Sequence, residues 1–201
     1  YTIIDNGNEA GRVLLKLYGE HNIKNSLAAY SVGKYFNIPF KQFKKSIGQF
    51  KPVKRRLELV YNKEIRVYDD YAHHPTEIKS SLEGLRKISK GKIITVFQPH
   101  LYTRTRDFYR EFAKSLSLSD ELILLDIYPA REEKIDGISS EIIAKEYKII
   151  SGKDAIMEND SNKINLYLKQ NTDFGDIVIF QGAGSITLYC RDFVKSLNKD
   201  I

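Results

Sequence analysis

The strongest constraint on the fold is an alternation of short apolar runs with helical segments from Pro52 onward. Nearly continuous apolar runs of strand length occur at 57–61, 65–68, 92–97, 121–127 and 176–180. Such runs are typical of parallel strands that helices cover on both faces. Segments 75–89, 107–116, 139–147 and 162–169 have helical periodicity, and the less regular stretch 149–158 allows one more strand. The pattern predicts an α/β domain with a mostly parallel sheet.

A smaller region precedes this domain and ends near Gln49. We expect strands over Thr2–Asp5 and Arg12–Leu17 and helices over Asn22–Phe36 and Pro39–Ile47. The intervening Asn6-Gly7-Asn8 is a strong signal for a hairpin turn, and Pro39 suits the first turn of a helix. A chain that opens directly on a hairpin starts inside a structured segment, so we expect the natural protein to have preceding residues.

Composition argues against several classes of protein. No apolar stretch approaches the ~18 residues of a membrane span, and the first residues do not resemble a signal peptide, so we expect no membrane insertion. The single cysteine, Cys190, excludes an internal disulfide and fits a cytoplasmic protein. The net charge is +6, but the 32 Lys and Arg are spread among 26 acidic residues. We therefore expect no nucleic-acid partner.

Polar residues are concentrated where three of the predicted strands end. The segments are Asp69 to Glu77 after 65–68, Gln98 to Asp107 after 92–97, and Gln181 to Ser185 after 176–180. Ligands of open α/β sheets bind beyond the carboxyl ends of the strands. Two of these segments hold three of the four histidines, His73, His74 and His100, whereas His21 lies at the start of the first predicted helix. These segments are therefore the candidate site.

Each polar residue also has a structural alternative. Asn22, Asp70 and Thr103 are residue types that cap helices or turns as readily as they bind a ligand. If basic residues are clustered near one site, we expect that site to bind a small anionic substrate. The sequence pattern by itself leaves both interpretations open for each residue.

Metal and phosphate motifs are weak or absent. His73 and His74 are adjacent rather than four residues apart, and Pro75 disfavours a helical conformation for His74, so we expect no metal ligands here. Gly182-Ala183-Gly184 begins like a dinucleotide fingerprint, but Thr187 occupies the position of its third small residue. The sequence contains no G-x-x-x-x-G-K-[ST] phosphate loop. Any ATP-dependent role then needs residues outside this chain.

In order along the chain, these segments resemble the Mur ligases of peptidoglycan synthesis. The matching motifs are Gly19-Glu20-His21-Asn22-Ile23-Lys24-Asn25, Arg55-Arg56-Leu57-Glu58, Asp69-Asp70-Tyr71-Ala72-His73-His74-Pro75-Thr76-Glu77, Phe97-Gln98-Pro99-His100 with Tyr102-Thr103-Arg104-Thr105-Arg106-Asp107, Tyr128-Pro129-Ala130-Arg131-Glu132 and Gly182-Ala183-Gly184. The histidine-rich and Gln-Pro-His motifs are specific, and the others support them. The resemblance implies that residues 1–49 are the tail of a central ATPase domain and residues 50–201 a Rossmann-like C-terminal domain.

The resemblance further implies ATP-dependent ligation of L-alanine to UDP-N-acetylmuramate. The terminal phosphoryl group of ATP activates the lactyl carboxylate, and the amino group of alanine then attacks the acyl phosphate. By the same comparison Asn22 and Asn25 lie near the adenine, Asp70 on the ribose and Arg56 near the phosphates, while His73, His74, His100 and Arg104 face the alanine and the acyl intermediate. Mg²⁺ is expected mainly on the absent central domain, so the chain alone is expected to be inactive.

Two alternatives remain. One is attachment of recycled murein peptide to the same nucleotide sugar, and the other is a non-catalytic nucleotide-binding module. The Gln-Pro-His-x-Tyr-Thr-Arg-Thr run favours alanine, and retention of Asp70, Arg56 and the histidines favours catalysis. Many members have an arginine where this chain has Leu101, so the carboxylate clamp rests on Arg104 alone or recruits Arg106.

Overall fold

The structure, a computed structural model, describes residues 1–17, 19–50 and 53–198, and for His21 only the backbone. The chain forms two compact units, Tyr1–Val53 and Lys54–Ile201. Pro52, where the sequence pattern changes, lies outside the described residues. The assignment of residues 1–49 and 50–201 to two family domains stays a prediction.

The first unit is a hairpin followed by two helices. Its elements are β1 (Thr2–Asp5), β2 (Asn8–Arg12), α1 (Glu20–Tyr35) and α2 (Phe40–Gln49). The second strand was predicted at Arg12–Leu17 and this placement is wrong, because Asn6 and Gly7 both adopt positive φ and close the hairpin in two residues. A small core of Ile3, Val13 and Phe43 holds the unit together.

The second unit confirms the predicted α/β class. Its elements are β3 (Glu58–Asn62), β4 (Arg66–Asp70), α3 (Pro75–Arg86), β5 (Ile93–Phe97), α4 (Tyr102–Leu116), β6 (Glu121–Leu124), α5 (Glu141–Ser151), β7 (Ile156–Met157), α6 (Ser161–Asn171), β8 (Ile177–Gln181) and α7 (Ile186–Leu197). The six strands lie in the order β3-β4-β8-β5-β6-β7. Only the edge strand β3 pairs antiparallel, so the sheet is mostly parallel as predicted.

Helices cover both faces of this sheet, which explains why its central strands β5 and β8 are almost entirely apolar. On one face α3, α4 and α5 pack on alternate strand residues such as Tyr68 and Phe97. On the other face α6 and α7 pack on the residues between them, such as Val67 and Val96. Successive strand residues point to opposite faces, so a strand that is covered on both faces is apolar at nearly every position.

The carboxyl ends of three neighbouring strands meet at one edge of the sheet. In the strand register, Gln181 at the end of β8 pairs with Asp70 at the end of β4 and with Phe97 at the end of β5. The backbone continues this pairing, because Gly182 N–H donates to Asp70 O and Gln98 N–H donates to Gln181 O. The three polar segments predicted from the sequence therefore emerge side by side. No helix of the described residues is both long and apolar enough to span a bilayer.

Candidate active site

Arg56 lies on a backbone bend, and the residue on each side of it adopts the left-handed backbone conformation. Arg55 has φ 60° and Leu57 has φ 50°. Such conformations cost about 1 to 3 kcal/mol in non-glycine residues and persist only where neighbours fix them. Here Tyr71 N–H donates to Arg55 O at 2.7 Å, and the Arg55 Nη2 group donates to Gly182 O at 2.7 Å. The bend leaves the Arg56 side chain 56% exposed, so its guanidinium is accessible to an anion.

Asp70 lies beneath this bend and is 3% exposed. Its Oδ1 atom accepts from Leu57 N–H at 3.2 Å, and its Oδ2 atom accepts from Ser81 Oγ at 2.6 Å and Gln181 Nε2 at 3.0 Å. The carboxylate thus ties the Arg56 bend to α3 and to β8. These contacts give Asp70 a positioning role, and its predicted contact with a ribose stays a prediction.

His74 is the N-cap residue of α3. Its backbone is extended, as expected before Pro75, and its Nδ1 atom accepts from Thr76 N–H at 3.4 Å. Glu77 accepts in return from the His74 N–H at 3.2 Å, which completes a capping box. The His74 ring lies 5.2 Å from that of Phe108. Helix capping thus occupies the Nδ1 atom of His74. The catalytic role of His74 stays a prediction.

His73 lies against a second histidine. Its ring centroid is 5.9 Å from that of His100. The Nδ1 atom of His73 is 2.9 Å from Tyr71 O, and because a carbonyl can only accept, this nitrogen carries the proton in the neutral ring. The Nε2 atom of His73 then retains its lone pair and can accept a proton or a hydrogen bond from a ligand.

His100 and Arg104 form the next contact along this edge. Arg104 Nη1 is 3.4 Å from the Nδ1 atom of His100, and because a guanidinium can only donate, this nitrogen is the acceptor. Burial lowers the pKa of His100, the charge of Arg104 and the electrostatic interaction with His73 lower it further, and Glu132 opposes them without reversing the shift. The lowered pKa favours the neutral ring of His100, and with Nδ1 as the acceptor this ring carries its N–H at Nε2.

The N-terminus of α4 is anchored from outside the helix. Leu101, its N-cap residue, has φ 74° and donates its N–H to Tyr128 O at 2.9 Å. Glu132 accepts from the N–H of Thr103 at 3.0 Å and from its hydroxyl group. These contacts start α4 at Tyr102, five residues before the predicted helical stretch, and fix Arg104 in the first turn.

Arg106 does not join this cluster in the structure. Its Nε atom is 2.7 Å from the Oδ1 atom of Asp107, and both side chains are about half exposed. Of these two arginines, Arg104 is the one in contact with His100. The choice between Arg104 alone and Arg104 with Arg106 for the carboxylate clamp stays a prediction.

Two glutamines and two glycines complete the floor of the site, and sequence reasoning gave none of them an individual role. Gln98 accepts from Ile186 N–H at 3.1 Å and so caps α7. A Cβ atom on Gly184 would lie 2.5 Å from the Tyr128 ring, and one on Gly182 would lie 2.7 Å from Gln98 O. The glycines are therefore needed for close packing of the loops. The signal available in the sequence was a polar residue, Gln98 or Gln181, directly after an apolar run.

The remaining predicted residues, Asn22 and Asn25, belong to the first unit. Both lie in the first turns of α1, where Asn25 is exposed and Asn22 N–H donates to Gly19 O at 3.1 Å. The side chain of His21 is outside the described part of the chain. Among the described residues, no group of three or more His, Cys, Asp or Glu side chains is arranged to hold a metal ion. The adenine contacts predicted for Asn22 and Asn25 stay predictions.

Comparison with known proteins connects this site to one family. Residues 55–184 match the model of the Mur ligase, glutamate ligase domain. The UDP-N-acetylmuramate–L-alanine ligase of Aquifex aeolicus is 42% identical over 96% of this chain, and that of Cytophaga hutchinsonii is 41% identical over 89% of it. The chain covers 41% and 38% of the length of these relatives.

Solved structures agree with the sequence matches. The UDP-N-acetylmuramate–alanine ligase of Thermotoga maritima superposes on 98% of this chain with a TM-score of 0.82 and 26% identity, and 42% of that chain is covered. The MurF ligase of the same organism, solved with ADP, has a TM-score of 0.69 at 22% identity over 94% of this chain and 42% of its own, which shows the fold alone. Because the family model covers all three strand ends and the residues gathered there, the chain belongs to the Mur ligase family.

Proposed function

We propose that this chain supplies the amino-acid side and part of the ATP side of a ligase that joins L-alanine to UDP-N-acetylmuramate. The observation that carries the proposal is the cluster of His73, His100 and Arg104 at the carboxyl edge of the sheet. The names of the similar ligases support the choice of alanine. The chain spans about two fifths of the length of those relatives, so the complete activity is itself part of the proposal.

The cluster suits a free amino acid as the ligand. The Arg104 guanidinium can grip the carboxylate through paired, charge-assisted hydrogen bonds. The free lone pair on Nε2 of His73 can accept a proton or hydrogen bond from the amino group, while the neutral His100 offers an N–H at Nε2. In this proposal His73 contacts the amine and His100 has a positioning role, a choice that the sequence left open.

ATP is the second substrate of the proposed reaction, and it supplies the phosphoryl group that turns the muramoyl carboxylate into an electrophile. The exposed Arg56 guanidinium fits a phosphate group, and Asp70 holds the bend that carries it. We assign Asn22 and Asn25 to the adenine, because side-chain amides can both donate and accept. Mg²⁺ is assigned to residues outside this chain, and the proposed roles of Arg56, Asp70 and the two asparagines do not depend on it.

Kinetics of the natural gene product test this proposal. With UDP-N-acetylmuramate and ATP present, we expect ADP release that depends on L-alanine and yields UDP-N-acetylmuramoyl-L-alanine. Murein tripeptide should be a poor replacement for alanine. Faster turnover with the peptide would instead assign the recycling reaction, and absence of ADP release with either would leave a nucleotide-binding module.

A further inference from the structure

One carboxylate, Glu77, contacts both histidines of the loop between β4 and α3. Its Oε2 atom accepts from the N–H of His73 at 3.0 Å and from the N–H of His74 at 3.2 Å. The same atom lies 3.6 Å from Nδ1 of His73. The other oxygen, Oε1, lies 3.5 Å from Nη1 of Arg56. Glu77 therefore touches residues predicted for the phosphate side and for the amino-acid side.

The contacts are those of an ionised carboxylate. Burial raises the pKa of Glu77, but the two backbone N–H groups and the electrostatic interactions with His73 and Arg56 outweigh it and lower the pKa overall. Hydrogen bonds to an ionised acceptor are about twice as strong as neutral ones. The two N–H groups are consecutive, so one oxygen fixes the direction of the chain just before α3.

This direction determines where the His73 ring lies. The ring is placed by its backbone and by the Tyr71 carbonyl at 2.9 Å, and it stands 5.9 Å from His100. Loss of the acceptor would leave two N–H groups without a partner and allow the loop to rotate. A shift of about 1 Å in such a group is enough to reduce a rate about a hundredfold.

We propose that Glu77 is a positioning residue for the amino-acid side of the site, which sets the His73 ring against His100 through the backbone of the histidine loop. The inference rests on the proposed function for its kinetic consequence, but its structural part stands by itself. A capping role alone would affect the stability of α3 and leave His73 where it is. The two roles therefore make different predictions.

The test compares Glu77→Ala with Glu77→Gln. In the glutamine variant the amide oxygen can replace Oε2 on both N–H groups, so the loop is retained, whereas alanine removes the acceptor. Asp160→Ala is the matched control, because Asp160 caps α6 through the N–H groups of Asn162 and Lys163. Asp160 follows β7, which is the outermost strand on the side of the sheet opposite β3. The control variant removes an equivalent cap from another helix.

Two measurements separate the outcomes. In the chain alone, we expect faster amide exchange at His73 and His74 and altered His73 ring resonances in Glu77→Ala only. In the natural gene product, we expect Glu77→Ala to lower kcat/KM for alanine about tenfold or more, Glu77→Gln to regain most of it, and Asp160→Ala to keep it. Unchanged His73 resonances in Glu77→Ala, or equal kinetic losses in Glu77→Ala and Asp160→Ala, would overturn the proposal. Altered resonances in a gene product without ligase activity would instead refute the proposed function alone.

Discussion

Arg104 follows His100 by four residues, and its Nη1 atom lies 3.4 Å from the Nδ1 atom of that histidine. After burial, the charge of Arg104 is the largest cause that lowers the pKa of His100. We expect Arg104→Ala to raise this pKa towards the usual value of ~6.5. An NMR titration of the His100 ring measures the change. Arg106→Ala is the control, since Arg106 pairs with Asp107, and an equal shift in both variants would contradict the assigned contact.

The same shift predicts how stability depends on pH. Because the pKa of His100 is lower in the folded state than in the unfolded state, the unfolded chain binds more protons between the two values. The contribution of His100 to stability is fully present above ~6.5 and is lost as pH falls through the folded-state pKa. Denaturant unfolding at several pH values should show a smaller dependence over this window in Arg104→Ala. An unchanged slope would assign the lowered pKa to burial alone.

Arg104 is also predicted to bind the alanine carboxylate. In the natural gene product, Arg104→Ala should weaken alanine use by about 1.5 to 3 kcal/mol, or about tenfold to a hundredfold, because a charge-assisted contact is lost. Steady-state kinetics with each substrate varied in turn should show little change for ATP and the muramoyl nucleotide. An unchanged KM for alanine with normal turnover would show that Arg104 does not bind the alanine carboxylate.

The site was predictable where it depends on strand ends and unpredictable where it depends on contacts between loops. Asp70, His73 and His100 follow apolar runs, and parallel strands necessarily bring such positions to one edge. The start of α4 at Tyr102 depends on Glu132, which comes from a loop after β6, and no local pattern shows a cap supplied from that distance. The capping role of Glu77 had a local sequence signal, since Glu77 comes three residues after His74, the N-cap of α3.

The capping role of His74 was harder to predict, because histidine is an uncommon N-cap and the histidine-rich motif pointed to catalysis, a role that stays a prediction. The hairpin shows the same limit in the first unit. Asn6-Gly7-Asn8 was correctly predicted as a turn, but Asn8 already pairs with Asp5 and begins β2, whereas the second strand was predicted to begin at Arg12. At His74 and at the hairpin the residue types indicated the kind of element. The detailed structure depended on which residue each one pairs with, Thr76 for His74 and Asp5 for Asn8.

The second unit should fold without the first. It has its own two-faced core, with helices on both sides of the sheet. We expect a chain starting at Lys54 to unfold cooperatively on heating, with coincident near- and far-UV circular dichroism transitions. The intact chain provides the reference. A broad transition, or loss of the near-UV signal, would show that the boundary at Val53 is misplaced.

The 201-residue chain alone should not hydrolyse ATP. Its sequence has no G-x-x-x-x-G-K-[ST] loop to cradle the phosphates, and the part of it that the structure describes has no acidic cluster for a metal ion. Phosphate release with Mg²⁺ should equal that of a control without protein. Release above this control that disappears in Arg56→Ala would show that the chain carries a complete phosphate site.

We expect Asp70 to contribute mainly to the stability of the fold, because its carboxylate is the shared acceptor for three buried donors. Alanine at this position would leave Leu57 N–H, Ser81 Oγ and Gln181 Nε2 without their shared acceptor in a buried setting. We expect Asp70→Ala to lower the free energy of unfolding by about 2 to 5 kcal/mol. Asp126→Ala, which removes an exposed carboxylate after β6, should change it by less than about 0.5 kcal/mol. Urea unfolding of both variants compares them directly. Equal stability of the two would mean that the buried donors find other partners, and Asp70 would then act through its ligand alone.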